Sequence, residues 1–223
     1  MTMTRTITVT GEGTAEAVPD LLTLTLAVEV RRDSAGTAYD DAGEVASAVT
    51  VALRGHGVAG LDLRTSGLNL RAELVWAENQ GQKVSGYVAS TTLVARVSPP
   101  TAAPSAISAA VAAGGDSLRI HGIEQGFADS SAVAAQAQEA AWREAEAKAA
   151  RFAALAGARL GQVLSIEQRA AHGAPVPMMG DMKRASASEG VAIEAGSMAV
   201  SATVAVQWEL VQLEPASTSR DAG

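Results

Sequence analysis

The order of strand-like and helix-like segments in this chain repeats once along its length. Residues 22–30 alternate strictly, with leucine or valine at every even position, which is typical of a strand that buries one face. A helical segment and two strand-like runs follow this strand, and the second half of the chain has the same order. The segments are 22–30, 34–54, 61–76 and 84–97, then 118–127, 130–156, 160–168 and 197–212.

The helical segments of the two halves occupy equivalent positions. Asp33 and Asp129 open them and Gly57 and Gly157 close them, with offsets of 96 and 100 positions. Near-equal offsets indicate an internal duplication.

The repeated order predicts the fold class. We expect an α+β fold of two duplicated βαββ units, about 20–98 and 117–212, with antiparallel-rich sheets and helices packed on one face of each. These halves and a short strand at 5–10 make one domain over residues 5–212. The polar residues 213–223 are predicted to be a disordered tail.

Composition limits both the core and the partners. Hydrophobic residues make up 48% of the 223 residues but aromatic residues only 3%, so the core must be built from alanine, valine, leucine and isoleucine. The net charge is −7 and no run of lysine and arginine exceeds two residues, which argues against nucleic acid as a partner. Cysteine is absent, so disulfides and thiol catalysis are excluded.

Glycines indicate where strands are interrupted. Gly11 and Gly13 are predicted to break the first strand, and the extended residues after them do not fit a dinucleotide-binding loop, which requires a helix there. The hydrophobic alternation changes parity at Gly67, which predicts a β-bulge. Gly81 is predicted to adopt positive φ in a hairpin loop at 78–82.

The N-terminal residues predict a cytoplasmic location. The first ten residues alternate polar and apolar like a strand, whereas a secretory signal has a continuous apolar stretch of about 7–15 residues. No run of the sequence is long and apolar enough to predict a membrane span.

Histidines and methionines offer no convincing site. His56, His121 and His172 fall in different elements at no metal-ligand spacing, and we expect His56 to cap a helix end or face water. The methionines at 178, 179 and 182 lie near His172 and could bind Cu(I), but a flexible loop is the favoured interpretation. We therefore predict no metal site and no cofactor.

Serine and carboxylate catalysis are equally unsupported. The sequence contains no Gly-x-Ser-x-Gly motif, and the neighbouring Asp40 and Asp41 point apart on a helix. A hydrolase would require Asp20, Asp62 or Asp116 to converge into a carboxylate pair. We therefore predict no catalytic residues and no enzyme activity.

Several motifs resemble those of the SIMPL-domain family, the YggE-like proteins of unknown function. Residues 7–13 with Pro19 and Asp20 are similar to its leading signature, residues 62–68 to its "D-x-x-T-x-x-L" strand, and residues 86–90 to its "GY-x-A-S/N" strand. Residues 155–163 are similar to its "A-x-x-G-x-x-LG-x-V" segment, and the final strand from Ile193 to Leu210 also fits. The resemblance covers about residues 5–212 in the right order.

The resemblance implies a duplicated α+β fold, with some members forming large ring-like oligomers. It also implies a link to oxidative or envelope stress and no established enzyme activity or cofactor. Many members carry an export signal, which this sequence does not show. The signature positions are interpreted as structural rather than catalytic; they are Gly11, Gly13, Pro19, Asp20, Thr65 and Gly86.

Two hypotheses for function follow. The first is a non-enzymatic, self-associating protein of the SIMPL type, which uses the last strand and the alanine-rich helix as assembly surfaces. The alternative is a small-molecule-binding module with a cleft between the two halves and the loop at 169–190 as a lid. That loop is predicted to be mobile, or ordered only at a subunit contact.

Overall fold

A computed structural model describes residues 5–77, 81–169, 176–178, 193, 194 and 196–213. The chain forms two compact units, which we call the middle unit (Val18–Ala128 with Gly180–Gly196) and the terminal unit (Met1–Ala17, Asp129–Met179 and Ser197–Gly223). The elements are β1 (Thr6–Ala17), β2 (Leu21–Arg32), α1 (Ala35–Gly55), β3 (Leu63–Ala77), β4 (Gly81–Val97), α2 (Ala103–Gly114), β5 (Leu118–Gly126), α3 (Ser131–Leu155), β6 (Ala158–Arg169), β7 (Val176–Met178) and β8 (Ser197–Gln212).

The middle unit is an antiparallel sheet in the order β3-β4-β2-β5, with α1 and α2 against one face. The even positions of β2, from Leu22 to Val30, are at most 2% exposed and pack against the buried face of α1. Ser34 caps the start of α1, because its hydroxyl accepts a hydrogen bond from the Thr37 N–H and satisfies a free donor of the first turn. The strict alternation of residues 22–30 thus marks the centre of this core.

The terminal unit is a second antiparallel sheet in the order β1-β8-β6, with β7 also pairing with β8. Helix α3 lies over β1 and β8 and presents one apolar stripe at four-residue spacing to them. The stripe consists of Val133, Ala137, Ala141, Ala145, Ala149 and Ala153. Its short side chains let α3 approach the sheet closely, as the composition indicated.

The predicted break of the first strand at Gly11 and Gly13 is wrong. Strand β1 continues through both glycines to Ala17, with Gly11 opposite Val204 and Gly13 opposite Ala202 in β8. A β-carbon on either glycine would lie less than 3.0 Å from backbone atoms of α3. The glycines therefore permit close helix packing and do not form a turn.

The α+β class and the antiparallel sheets are confirmed. The division of the strands between the two units, however, differs from the two predicted halves. Strand β5, expected to open the second half at 117–212, pairs with β2 in the middle unit. Strand β1, which precedes the first half, pairs with β8 in the terminal unit. The internal duplication stays a prediction.

The predicted irregularities of the β3–β4 hairpin are confirmed. The register between the two strands shifts between Thr65 and Gly67, and Gly81 has a φ of 72°. A second shift between Glu73 and Leu74 leaves Ser85 of β4 as the extra residue. Of the predicted loop at 169–190, Arg169 ends β6 and residues 176–178 form β7. The rest of this loop and the predicted tail beyond Leu213 lie outside the described residues.

Candidate functional site

Of the three aspartates considered for hydrolysis, Asp20 and Asp62 have separate structural partners. The Asp20 carboxylate accepts a hydrogen bond from the Ala128 N–H at 2.7 Å, and Asp62 pairs with Arg96 at 3.6 Å. Asp20 precedes β2 and Asp116 precedes β5, and these strands are antiparallel, so the two aspartates lie at opposite ends of the sheet. The structure does not bring the three together.

The histidines are also apart. The Nδ1 atom of His56 lies 2.9 Å from the Ala52 carbonyl oxygen, so His56 caps the end of α1, as expected. His121 lies in β5, and His172 is outside the described residues. Among the residues that the structure describes, no three histidine or carboxylate side chains are grouped to hold a metal ion.

Two carboxylates with lowered pKa values hold α3 in place. The pKa of Glu144 is lowered chiefly because its carboxylate accepts the Glu12 N–H, at 2.6 Å, and secondarily because it binds Lys148, at 2.9 Å. The pKa of Asp129 is lowered because it accepts the Ser131 N–H at the start of α3, at 2.8 Å. Both shifts arise from contacts that hold the fold together.

An apolar groove runs between α3 and β6 within the terminal unit. Its volume is about 190 Å³. Trp142 and Ile166 form its walls, and the side chain of Trp142 also contacts Trp208 with ring centroids 5.9 Å apart. The described residues that line it are all uncharged: Gln138, Ala141, Trp142, Ile166, Gln168, Ala202, Thr203 and Val204. Its chemistry suits a small neutral molecule.

A second candidate surface is a row of large apolar side chains on the edge strand β3, which we call the β3 stripe. Its members are Leu68, Leu70, Leu74 and Trp76, exposed by 60%, 46%, 51% and 78%. Leu70 lies opposite the fully buried Ala89, so the stripe is on the same face of the sheet as the core. It stays exposed because α1 packs mainly on β4 and β2.

The far end of the β3–β4 hairpin extends beyond the rest of its sheet. Strand β2 pairs with β4 only as far as Arg32 opposite Tyr87, so the hairpin residues from Glu73 to Gly86 have no further strand beside them among the described elements. The face opposite the stripe is polar, with ion pairs between Arg31 and Glu73 and, at 3.5 Å, between Arg71 and Glu29. The stripe face of the hairpin is therefore mainly apolar, whereas the opposite face carries charged side chains together with Val75, which is 48% exposed.

Comparison with known families accounts for most of the chain. The sequence model of the SIMPL family, described as proteins of unknown function (DUF541), matches residues 7–208. This chain belongs to the SIMPL family. A 26 kDa periplasmic immunogenic protein of Brucella melitensis biotype 1 is 29% identical over 216 residues, which cover 92% of this chain and 84% of the relative. The protein of the same name from Brucella abortus strain S19 is 28% identical over the same shares of both chains.

Five of the six SIMPL signature positions have structural explanations. Gly11 and Gly13 lie under α3, and Thr65 comes directly before the bulge in β3. A β-carbon on Gly86 would lie 3.1 Å from the Arg32 carbonyl oxygen, at the point where the hairpin leaves β2. Asp20 joins the start of β2 to the ends of β4 and β5, because its carbonyl also accepts the Ser98 hydroxyl at 2.9 Å.

Proposed function

We propose that this chain is a non-enzymatic, self-associating SIMPL-type protein, and that the β3 stripe is part of its assembly surface. The stripe carries this proposal, because soluble monomers rarely expose contiguous large apolar side chains without a partner. The surfaces first expected to assemble support it less. In the terminal unit the alanine stripe of α3 packs against its own sheet, and Val206 and Trp208 of the last strand are buried.

The absence of catalytic activity is part of the proposal. It is supported by the contacts of two candidate carboxylates, Asp20 and Asp62, which hold strands together. The two carboxylates with lowered pKa values, Asp129 and Glu144, are likewise engaged in contacts that hold α3 in place. The link to oxidative or envelope stress that the resemblance implies stays a prediction.

Light scattering tests the self-association. We expect the native protein at micromolar concentration to have a mass of at least twice the monomer's 22.6 kDa. Leu74→Lys should shift it toward the monomer by about tenfold or more in dissociation constant, because a charge in an apolar contact must be desolvated. Leu155→Lys is the matched control, since Leu155 is also exposed but lies at the end of α3.

A monomeric native protein at these concentrations would rule out self-association. Equal losses of mass in Leu74→Lys and Leu155→Lys would show that the β3 stripe has no special part in it.

We also propose a periplasmic location. The cytoplasmic location predicted from the N-terminal residues conflicts with the names of the two Brucella relatives, both of which are called periplasmic. None of the helices in the described part of the chain is long and apolar enough to cross a bilayer. Fractionation of cells that express the native gene tests the proposal, and recovery of the protein with cytoplasmic markers would contradict it.

Binding of a small molecule is the second candidate function, and the groove beside Trp142 favours it. The groove lies within the terminal unit, whereas the predicted cleft lay between the two halves. A neutral ligand at one hundred times its dissociation constant should stabilise the protein by about 2.7 kcal/mol. A thermal-shift screen of neutral metabolites measures this gain, and Trp142→Leu should abolish it. A gain that survives in this variant would place the ligand elsewhere.

A further inference from the structure

Among the described strands, the outer ones are β1, β3, β5, β6 and the three-residue β7, and all but β3 have features that discourage pairing with another chain. Exposed edges of a sheet present free N–H and C=O groups and are normally protected. In β1 the Arg5 carbonyl accepts the Leu210 N–H of β8. The backbone N–H and C=O groups of the even residues of β1 therefore point away from β8, toward the open edge. The outward Thr10 carbonyl lies 3.4 Å from the Lys148 ammonium, and the outward Glu12 N–H donates to Glu144 at 2.6 Å. Side chains of α3 thus occupy this edge.

The edges at β5 and β6 are irregular. Strand β5 has nine residues, and its register with β2 shifts so that His121 is an extra residue. The register between β6 and β8 shifts on both sides of Val163. Bulges twist a strand edge and interrupt its row of donors and acceptors.

Among the residues that the structure describes, the edge at β3 has no such protection from Gly67 to Ala77. These eleven residues contain no proline and no bulged residue, since the second shift of the hairpin inserts Ser85 into β4. The same segment carries the β3 stripe. A long, regular edge strand with an apolar face is the kind of strand that pairs with another chain.

We propose that residues 67–77 of β3 pair antiparallel with the same segment of a second copy of this chain, with Ala72 opposite Ala72 on a two-fold axis. This inference rests on the proposed self-association and specifies its contact. This pairing would join the four-stranded sheets of the two middle units, one from each copy, into one sheet of eight strands.

The order of side chains around Ala72 favours this register. Arg71 of one copy would lie opposite Glu73 of the other, and this pair would occur twice by symmetry. The new pairs would add to the ion pairs that Arg71 and Glu73 already make with Glu29 and Arg31 within each chain. Leu70 then lies opposite Leu74, and Leu68 opposite Trp76. Moving the axis by one residue would place Arg71 opposite Arg71 or Glu73 opposite Glu73, which is unfavourable because like charges directly opposite repel.

The backbone is compatible with the same register. The Glu73 carbonyl accepts the Ser85 hydroxyl of β4 at 3.2 Å, so odd residues of this segment direct their backbone groups toward β4. Even residues, including Ala72, therefore direct their N–H and C=O outward. The proposed register pairs even residues with even residues, so the outward groups of both copies meet.

A cysteine at the axis tests the register directly, because the chain has no cysteine of its own. Opposite residues that exchange both hydrogen bonds have Cα atoms about 5.5 Å apart, within the range of about 4.4–6.8 Å that a disulfide spans. Ala72→Cys should form a covalent dimer under mild oxidation. Leu70→Cys is the control, because its own copy would lie roughly 14 Å away along the strand.

Charge reversal tests the pairing of Arg71 with Glu73. Arg71→Glu alone and Glu73→Arg alone should each weaken association about tenfold, since two attractive pairs become repulsive. An equimolar mixture of the two variants should associate as tightly as the native protein, because the acidic pair of one copy then faces the basic pair of the other. Sedimentation velocity measures all three, and recovery in the mixture shows that both variants are folded.

The outcomes distinguish the proposed register of β3 from self-association in general. Cross-linking of Ala72→Cys but not of Leu70→Cys, with recovery in the mixture, supports the register. A protein that associates but shows equal cross-linking of both cysteine variants, or no recovery, overturns this inference and leaves self-association standing. A monomeric native protein overturns both.

Discussion

Replacing Gly13 by alanine is expected to destabilise the terminal unit by about 3 kcal/mol or more, the upper end of what overpacking costs. The new β-carbon would meet the Ala137 carbonyl oxygen and the Ala141 nitrogen at less than 3.0 Å. Both are backbone atoms of α3, so no side chain can rotate out of the way. Relief requires α3 to move off β1, which also separates Glu144 from the Glu12 N–H. Thermal unfolding followed by far-ultraviolet circular dichroism measures the loss.

Gly43→Ala is the matched control for this change. Gly43 lies in the interior of α1, and a β-carbon there would have no atom within 4 Å. Alanine should therefore stabilise the helix by about 0.5–1 kcal/mol, because glycine loses more backbone entropy on folding. If Gly13→Ala melted at the same temperature as the native protein, α3 would not lie against β1 as closely as described.

The glycines of β1 show where local sequence patterns mislead. Glycine pairs usually mark turns, so a break was the expected interpretation. In the structure the odd positions of β1 face α3, and they change from Ile7 and Val9 to Gly11 and Gly13. The alternation of β1 and the alanine stripe of α3 were both visible in the sequence. Local patterns do not show that the two segments pack together, because they are more than a hundred residues apart.

Secondary structure and pairing differ in how far sequence can predict them. Most helices and strands were predicted because hydrophobic periodicity is a local property. The pairings of β5 with β2 and of β1 with β8 bring together distant segments, and periodicity contains no information about them. The predicted second half therefore differs from the observed pairing at β5, and the two predicted halves did not include β1.

The sequence did not predict the two candidate surfaces, the β3 stripe and the groove beside Trp142, for a related reason. Leu68 and Leu70 alternate in the same way whether a helix covers them or not, so their exposure depends on β3 being the edge strand beside an uncovered face. The groove beside Trp142 likewise depends on how α3 lies across its sheet. The change of parity at Gly67 was the one local signal, because it predicted the bulge that comes just before the regular segment of β3.

Replacing Leu26 by alanine should cost the middle unit about 3–5 kcal/mol, the upper part of the range for buried leucines. Leu26 is fully buried at the centre of β2, opposite Leu93 of β4 and Ile120 of β5. The same core includes Ala38 and Ala42 of α1, whose short side chains cannot move into the space that the leucine leaves. The cavity should therefore persist, and its volume adds to the lost transfer free energy. Urea unfolding measures the change as a lower midpoint at unchanged slope.

Leu68→Ala makes the same chemical change on β3, where the leucine is 60% exposed. In protein diluted until it is monomeric, this variant should unfold within about 0.5 kcal/mol of the native protein, as surface substitutions usually do. At higher concentration it should weaken association, because Leu68 belongs to the β3 stripe. Comparison of Leu26→Ala with Leu68→Ala thus distinguishes a leucine that is buried within the chain from one that becomes buried between two copies. Equal losses of stability in the two dilute variants would contradict the assignment of the stripe to an exposed edge.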